Sequence, residues 1–293
     1  MFPCKLLLFG EYTILDNGAA LAMPLKNFGG QWAENSHSKD RQDTGAGLWQ
    51  LLEYAYLQDW EELYDLERWE NDLEAGVWFD ANVPQGYGLG SSGAVAAAVY
   101  QRYRLEPRMQ LKSLKTELAR LENCWHKNSS GIDPLVSYLH RPIFMQNKEE
   151  ISIKNIDIQS LARHFCLLDT QIKRSTAPLV SWFLLQSERE EFKTACVSPL
   201  KDINNEACQA ILTQDYAAIG YQMKTISSLQ YTHLQHLIPS NFSHLWKQGL
   251  DSGDFYLKIC GAGGGGFLLV WTAEPQVKTE LRAAGLQLLD IIG

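Results

Sequence analysis

The sequence predicts an α+β fold with two domains. Strand-length apolar runs and segments of helical periodicity follow one another without the regular strand–helix repeat of a Rossmann fold. The chain has 293 residues, of which 45% are hydrophobic and nine are tryptophan, so it is long enough to bury the cores of two modest domains. We place the boundary between residues 157 and 158, which gives domains of residues 1–157 and 158–293.

The predicted strands are short apolar runs that end at turn-forming residues. The first run, Leu6 to Phe9, ends at Gly10, and two later runs flank a turn at Asn147. The full set of predicted strands is 5–9, 19–24, 77–79, 143–145, 151–153, 165–168, 255–260, 266–271 and 286–292.

The predicted helices have apolar residues three or four positions apart. In the segment 111–126 these are Leu111, Leu114, Leu118, Leu121 and Trp125. Residues 34–46 are polar and predict a loop. The other predicted helices are 48–57, 91–104, 176–186, 275–284 and two or three within 198–252.

Composition excludes several classes of function. A net charge of −8 argues against a broad nucleic-acid surface. The six cysteines form no CxxC pair and have no zinc-like spacing, so they are expected to be reduced thiols. Every apolar run is too short for a signal sequence or a membrane span. We therefore expect a cytoplasmic protein that binds neither nucleic acid nor membrane.

The segment 84–94, PQGYGLGSSGA, indicates an anion site. Alternate glycines followed by two serines lie between an apolar strand and a small-residue helix. Such a loop brings backbone N–H groups and the positive end of a helix to one place. The residues expected to hold the anion are Gly86, Tyr87, Gly88, Leu89, Gly90, Ser91 and Ser92. The alternative is a glycine-rich turn that only packs the helix against a sheet.

A second glycine cluster, residues 261–266, has five glycines in six positions. Because glycine loses much conformational entropy on folding, this composition indicates a need for close backbone approach or positive φ. The loop, including Gly263 and Gly264, would lie against a phosphate or brace the first glycine loop. The alternative is a loose hairpin turn.

Three polar positions lie at the end of the helix predicted over 111–126 or shortly after it. Glu122 is at the edge of its buried stripe, where a carboxylate either reaches solvent or serves a site. Asp133 begins another apolar segment and could equally be a plain helix cap. The alternative for His126 is a polar residue that ends a helix.

Residues 169–176 follow an apolar strand and precede an apolar helix. Lys173 and Arg174 next to Ser175 and Thr176 would suit an anionic group. A simple serine or threonine N-cap would explain the hydroxyls equally well.

Taken together, these motifs resemble those of the GHMP kinase superfamily, and within it mevalonate kinase. Residues 5–12, 84–94 and 258–266 are similar to the three superfamily motifs, and residues 126–133 and 173–176 to segments of mevalonate kinase. Tyr12 stands where mevalonate kinases usually have histidine, and Lys127 and Ser129 replace glycine and proline. The Tyr12 context and the first glycine loop also resemble phosphomevalonate kinase.

The resemblance implies a ribosomal-S5-domain-2-like N-terminal domain that binds ATP, and a ferredoxin-like C-terminal domain. It implies transfer of the ATP γ-phosphate to an alcohol, first of all mevalonate. The alternatives are phosphomevalonate kinase, a sugar or homoserine kinase, or a non-catalytic metabolite-binding protein. A homodimer is the only protein partner that the sequence suggests.

The resemblance also implies residue roles. Asp133 would be the base that accepts the proton of the substrate hydroxyl, and Lys5 would keep it ionised and neutralise the γ-phosphate. Ser92 and Glu122 would hold Mg²⁺, and both glycine loops would contact ATP. The acceptor would be bound by Glu11, Tyr12, His126, Arg174 and Thr176.

Overall fold

The computed structural model describes residues 1–34, 41–83, 87–126, 129–147 and 150–292. Packing divides the chain into two compact units. Unit 1 comprises residues 1–5, 24–83 and 89–141, and unit 2 comprises residues 6–23, 84–88 and 142–293. Unit 2 contains residues on both sides of position 157, so these units do not correspond to the two predicted domains. The domain boundary after residue 157 stays a prediction.

Two long strands contribute to both units. Strand β1 is Phe2–Phe9 and strand β2 is Ala20–Ala33. Unit 1 contains residues 2–5 of β1 and 24–33 of β2, and unit 2 contains the remainder of each strand. Most of β1 is buried, as its apolar run predicts.

Unit 1 adds one strand and five helices to its parts of β1 and β2. Strand β3 (Trp78–Ala81) pairs antiparallel with β2 over four residues, from Gly30 opposite Ala81 to Ala33 opposite Trp78. The helices are α1 (Arg41–Leu57), α2 (Leu66–Glu74), α3 (Ser91–Tyr103), α4 (Leu111–Glu122) and α5 (Ile132–Leu139). Helices α3, α4 and α5 pack on one another. The small residues of α3 allow this, since Ala96, Ala97 and Ala98 are fully buried.

In unit 2, two short strands extend the sheet that contains β2, which is the first of two sheets. Strand β4 (Ile143–Met145) pairs antiparallel with β2, and β5 (Ile151–Ile153) pairs antiparallel with β4. The later elements are α6 (Ile158–His164), β6 (Phe165–Asp169), α7 (Thr176–Ser187), α8 (Glu190–Phe192), a π-helical turn (Lys193–Val197), α9 (Ser198–Thr213), α10 (Tyr216–His233), α11 (Ser243–Ser252), β7 (Phe255–Ile259), β8 (Phe267–Thr272), α12 (Pro275–Ala283) and β9 (Leu288–Asp290).

The second sheet confirms the predicted ferredoxin-like topology. Its four strands have the order β7-β8-β6-β9 and are all antiparallel. Along the chain, β6 is followed by helices, then by the β7–β8 hairpin, then by α12 and β9, which is the β-α-β-β-α-β order of that fold. Strands β6 and β8 pair from Phe165 opposite Trp271 to Asp169 opposite Phe267, and both are almost wholly buried.

Several predicted boundaries were wrong. Strand β2 was expected to end at residue 24 but extends to Ala33. Residues 34–46 were expected to form a loop, but α1 begins at Arg41. Once the apolar face that starts at Leu48 is packed, each residue added in front of it gains a helical hydrogen bond at low cost. Helix α4 ends at Glu122 and not at residue 126, because the amides that follow bond to the third residue back instead of the fourth. Cys124 N–H donates to Leu121 O at 3.2 Å, and Trp125 N–H donates to Glu122 O at 3.1 Å.

Helices α2 and α6 are among the helices that lie where none was predicted. Helix α2 buries Leu66, Trp69 and Leu73, which have helical spacing but are separated by polar or charged residues, six in all within the helix. Asp65 caps its N-terminus. Helix α6 occupies the segment that was taken as a domain boundary. It buries Leu161 and Ala162 and is too short to show a full apolar period.

All six cysteines are free thiols. Five of them are buried, and Cys124 is half-buried. Burial raises the pKa of Cys4 to about 12 and that of Cys166 to about 11. Within the described ranges, every helix is too short or too polar to span a bilayer.

Candidate functional site

Lys5 and Asp133 form an ion pair within unit 1. Lys5 Nζ lies 2.8 Å from Asp133 Oδ1, and the two side chains are 10% and 24% exposed. Lys5 lies on β1, and its N–H donates to Leu89 O in the first glycine loop at 3.0 Å. Lys5 is therefore largely shielded from solvent, whereas Asp133 is exposed enough to contact a small ligand.

Asp133 lies in the first turn of α5 but does not cap it. The N-cap position is Gly131, with φ of 72°, and no side chain caps the helix. The plain-cap interpretation of Asp133 is therefore wrong. Its carboxylate instead lies near the positive end of the α5 dipole and faces Lys5.

The glycines of the first loop make room for Asp133. A Cβ on Gly90 would lie 2.7 Å from Asp133 Oδ2, and a Cβ on Gly93 would lie 2.8 Å from Asp133 Cβ. Gly90 is also the N-cap of α3, with φ of 72°, a conformation that favours glycine. In unit 1 these two glycines thus bring the start of α3 directly against the start of α5.

Glu122 is a buried carboxylate beside Ser92. The Ser92 hydroxyl donates to Glu122 Oε1 at 2.8 Å, and the Ser129 hydroxyl donates to Oε2. Burial, and next the charge of Asp133, raises the pKa of Glu122 to about 7, although both serine hydrogen bonds lower it. His126 is exposed, and its Nε2 lies 3.1 Å from Ser92 Oγ. His126 therefore adjoins the predicted metal ligands.

The chemistry of Ser92 and Glu122 fits Mg²⁺. Their oxygens are hard donors and are close enough to share one ion. Among the described residues there is no group of three or more His, Cys, Asp or Glu side chains placed to hold a metal. A magnesium ion at this point would complete its coordination with phosphate oxygens and water, which is its usual habit in phosphoryl-transfer sites.

In unit 2, Tyr87 of the first loop packs on the second glycine cluster. A Cβ on Gly266 would lie 2.6 Å from Tyr87 O, and the rings of Tyr87 and Phe267 have centroids 5.1 Å apart. The cluster thus braces the part of the first loop that belongs to unit 2, and bracing is one of the two roles that its composition predicts. Gly86 lies outside the described residues.

The glycine cluster joins β7 to β8, but it is not a loose hairpin turn. Positive φ occurs at Gly261, Gly263, Gly264, Gly265 and Gly266. Gly264 N–H donates to Leu237 O at 2.6 Å, and Gly266 N–H donates to Ile172 O at 2.8 Å. Because these amides already bond within unit 2, much of the glycine content serves close packing.

Arg174 lies against both glycine loops in unit 2. Its Nη1 donates to Gly263 O at 2.9 Å, and Nη2 fills the space that a Cβ on Gly88 or Gly261 would need. Burial lowers the pKa of the guanidinium. Among the described residues Arg174 forms no ion pair with a carboxylate, although the charge of Glu11 raises its pKa, and its buried Nε has no hydrogen bond. The charge is therefore available to an anion.

Glu11 and Tyr12 are both buried in unit 2. Lys258 Nζ lies 2.5 Å from Glu11 Oε1 and also donates to Ile259 O at 2.9 Å. The Tyr12 hydroxyl donates to Ala262 O at 2.7 Å. Sequence reasoning gave Lys258 no role, although a lysine inside an apolar strand is a signal for a buried partner. Thr176, in contrast, is exposed at the start of α7.

The predicted residues thus form two groups, each described within its own unit. Unit 1 brings Lys5, Ser92, Glu122, His126 and Asp133 together, with Leu89, Gly90 and Ser91 at the same loop. Unit 2 contains Glu11, Tyr12, Tyr87, Gly88, Arg174, Thr176, Gly263 and Gly264. Their roles in binding or catalysis stay predictions.

Comparisons with known proteins show which families this chain is similar to. Residues 55–141 match the family model for the GHMP kinases N terminal domain. The chain is 25% identical over 313 residues to mevalonate kinase of Thermococcus sibiricus, covering 97% of this chain and 92% of that protein. It is 16% identical to L. major mevalonate kinase in complex with R-mevalonate, with a TM-score of 0.66 over 96% of this chain and 90% of the other. The Streptococcus pneumoniae phosphomevalonate kinase in complex with phosphomevalonate and AMPPNP is 16% identical, with a TM-score of 0.64 over 98% and 97%.

Proposed function

We propose that this chain, which has the GHMP kinase fold and carries that family's N-terminal domain, transfers the γ-phosphate of ATP to the alcohol of mevalonate and forms 5-phosphomevalonate. The observation that carries the proposal is the 2.8 Å ion pair of Lys5 and Asp133 at the first glycine loop. The match to the Thermococcus sibiricus protein supports mevalonate as the first acceptor to test.

Asp133 is the proposed general base. Its carboxylate is 24% exposed, so the hydroxyl of a small acceptor can reach it. Lys5 fixes the carboxylate on one side, and the close approach of Gly90 and Gly93 restricts it on the other. A base held in this way accepts the proton as the oxygen attacks phosphorus, a contribution of about 10²–10⁴-fold where such a base operates.

Lys5 also provides positive charge next to the reacting groups. Phosphoryl transfer depends mainly on positioning and on charge neutralisation. The lysine ammonium and the start of α3 would act on the same phosphate, because Lys5 donates its own N–H to Leu89 just before that helix. Ser91 is exposed at the first turn of α3, where helical N–H groups have no partner inside the helix.

Ser92 and Glu122 are the proposed ligands for Mg²⁺. When bound there, the ion would neutralise phosphate charge during transfer. Glu122 must lose its proton to bind a cation, and the two serine hydroxyls that donate to it stabilise that ionised form. Ser129 stands at a position where the motif of mevalonate kinase has proline, so this second hydroxyl is a feature of the present chain.

Arg174 is the proposed partner for the acceptor carboxylate. It is a largely buried cation with an unused donor, and it forms no ion pair among the described residues. A guanidinium binds a carboxylate through paired N–H donors. Glu11, His126 and Thr176 remain proposed acceptor residues on the sequence resemblance.

The test is ADP release with ATP and Mg²⁺, measured with mevalonate, phosphomevalonate, homoserine and galactose in parallel. We expect turnover that depends on mevalonate and stops when Mg²⁺ is chelated. Turnover with phosphomevalonate alone would assign the chain to the next kinase step. Nucleotide binding without turnover on any acceptor would instead favour a metabolite-binding protein.

A further inference from the structure

The phenol of Tyr12 is attached to the second glycine cluster. Its hydroxyl donates to Ala262 O at 2.7 Å, and both residues are only 6% exposed. The ring of Tyr12 stacks on Phe183 with centroids 4.1 Å apart and an interplanar angle of 25°. The hydroxyl therefore has a buried protein acceptor.

The backbone of Tyr12 is fixed from both sides. Its φ is 63°, which is rare for an aromatic residue and persists only where neighbouring contacts hold it. On one side Glu11 is paired with Lys258, and on the other Asn204 Nδ2 donates to Thr13 Oγ1 at 3.0 Å. The hydroxyl is thus a donor on a rigid support.

The loop that receives this hydrogen bond consists almost entirely of glycine. Ala262 is the one residue of 261–266 that is not glycine, and five positions around it have positive φ. Each glycine adds backbone freedom that contacts from outside the loop must remove. Tyr12 supplies such a contact to the carbonyl of Ala262, directly before Gly263 and Gly264.

We propose that Tyr12 is a positioning residue that holds loop 261–266 in its nucleotide-binding conformation and that its hydroxyl does not contact the acceptor. The nucleotide part of this inference rests on the proposed function, whereas the restraint of the loop does not. The sequence resemblance assigned Tyr12 to the acceptor pocket. The hydrogen bond to Ala262 indicates instead that the Tyr12 hydroxyl restrains the loop.

The restraint is tested by hydrogen exchange of the ligand-free protein, read by mass spectrometry, in wild type and Tyr12→Phe. The variant keeps the ring and its stacking on Phe183, so it should fold. Tyr256→Phe is the matched control, because the Tyr256 ring also stacks in unit 2 and its hydroxyl has no hydrogen bond among the described residues. We expect exchange in peptides covering 261–266 to rise about fivefold in Tyr12→Phe alone, the effect of one lost hydrogen bond. Unchanged exchange would overturn the restraint.

The role in nucleotide binding is tested on the same variants. We expect Tyr12→Phe to weaken binding of Mg²⁺ with a non-hydrolysable ATP analogue about fivefold. The KM of the acceptor should stay within about twofold, because no acceptor contact is removed. A raised acceptor KM with unchanged nucleotide affinity would overturn the proposal. If wild type binds no nucleotide, the proposed function fails, and the exchange data still decide whether Tyr12 restrains the loop.

Discussion

Gly93 lies so close to Asp133 that a Cβ on the glycine would come within 2.8 Å of the Cβ of the aspartate. The same added atom would lie 2.7 Å from the backbone nitrogen of Pro134. Backbone of α5 cannot move aside as a flexible side chain can. The first turns of α3 and α5 therefore fix each other's position, and with it the position of the proposed base.

We expect Gly93→Ala to lose most turnover and about 1–3 kcal/mol of unfolding free energy, because the added methyl overpacks this contact. Gly47→Ala is the control, since Gly47 is also helical and its Cβ would meet nothing within 4 Å. The control should be neutral or more stable by up to about 1 kcal/mol. Denaturant unfolding and kcat report both effects. A fully active Gly93→Ala would show that Asp133 does not need its present position.

Asp133→Asn should keep the fold and nucleotide binding but reduce kcat by about 10²–10⁴-fold, because the amide cannot accept the proton. Asp202→Asn, an exposed change on α9, is the control and should leave kcat unchanged. The measurements are kcat with mevalonate and affinity for a non-hydrolysable ATP analogue. Near-wild-type turnover would remove Asp133 as the base.

The raised pKa of Glu122 predicts a pH dependence of stability in the absence of divalent ions. The folded pKa is about 7 against an ordinary value of 4.5, so the folded state binds the proton more tightly than the unfolded state. This contribution is complete below pH 4.5 and is lost as the pH rises through about 7. Melting temperature measured from pH 4 to 8 should therefore fall with pH in wild type relative to Glu122→Gln. Parallel curves for the two proteins would contradict the buried-carboxyl account.

Arg174→Met should raise the KM for mevalonate by about tenfold or more, because a charged hydrogen bond contributes about 1.5–3 kcal/mol. Lys173→Met is the matched control, since it removes an exposed neighbouring cation. The control should leave the KM for mevalonate within about twofold. If only the lysine change matters, and only for phosphomevalonate, the acceptor carries a phosphate that Lys173 binds.

Lys258→Met should lower the unfolding free energy by about 3–5 kcal/mol, because it leaves the buried Glu11 carboxylate without its cation. The double variant Lys258→Met with Glu11→Leu removes both charges and should recover much of that loss. Denaturant titrations of the three proteins check this. Equal losses in the single and double variants would show that packing, and not charge, determines the cost.

The sequence was most informative where a local pattern determines structure. The period of Leu114, Leu118 and Leu121 predicted α4, and the apolar runs predicted the four strands of the ferredoxin-like sheet. The same pattern failed for α2, whose three apolar residues are separated by charged ones, and for α6, which is shorter than two turns. These helices are stabilised by tertiary packing that a sequence window does not contain.

For the candidate site, residue types were easier to predict than partners. The pairing of Lys5 with Asp133, 128 positions apart in sequence, was implied only by family resemblance. The pairing of Lys258 with Glu11 and the bond from Tyr12 to Ala262 were not predicted. Each depends on which strand passes beside which loop, and that is decided by sheet topology and not by any neighbouring residue.

The buried thiols give each unit its own reporter of opening. Cys4 belongs to unit 1, and Cys166 belongs to unit 2. Burial keeps both protonated at neutral pH, so an alkylating reagent can react only after the surrounding structure has opened. The peptides that contain these two cysteines would show which thiol is modified first. That order would show which unit opens first, without any inserted label.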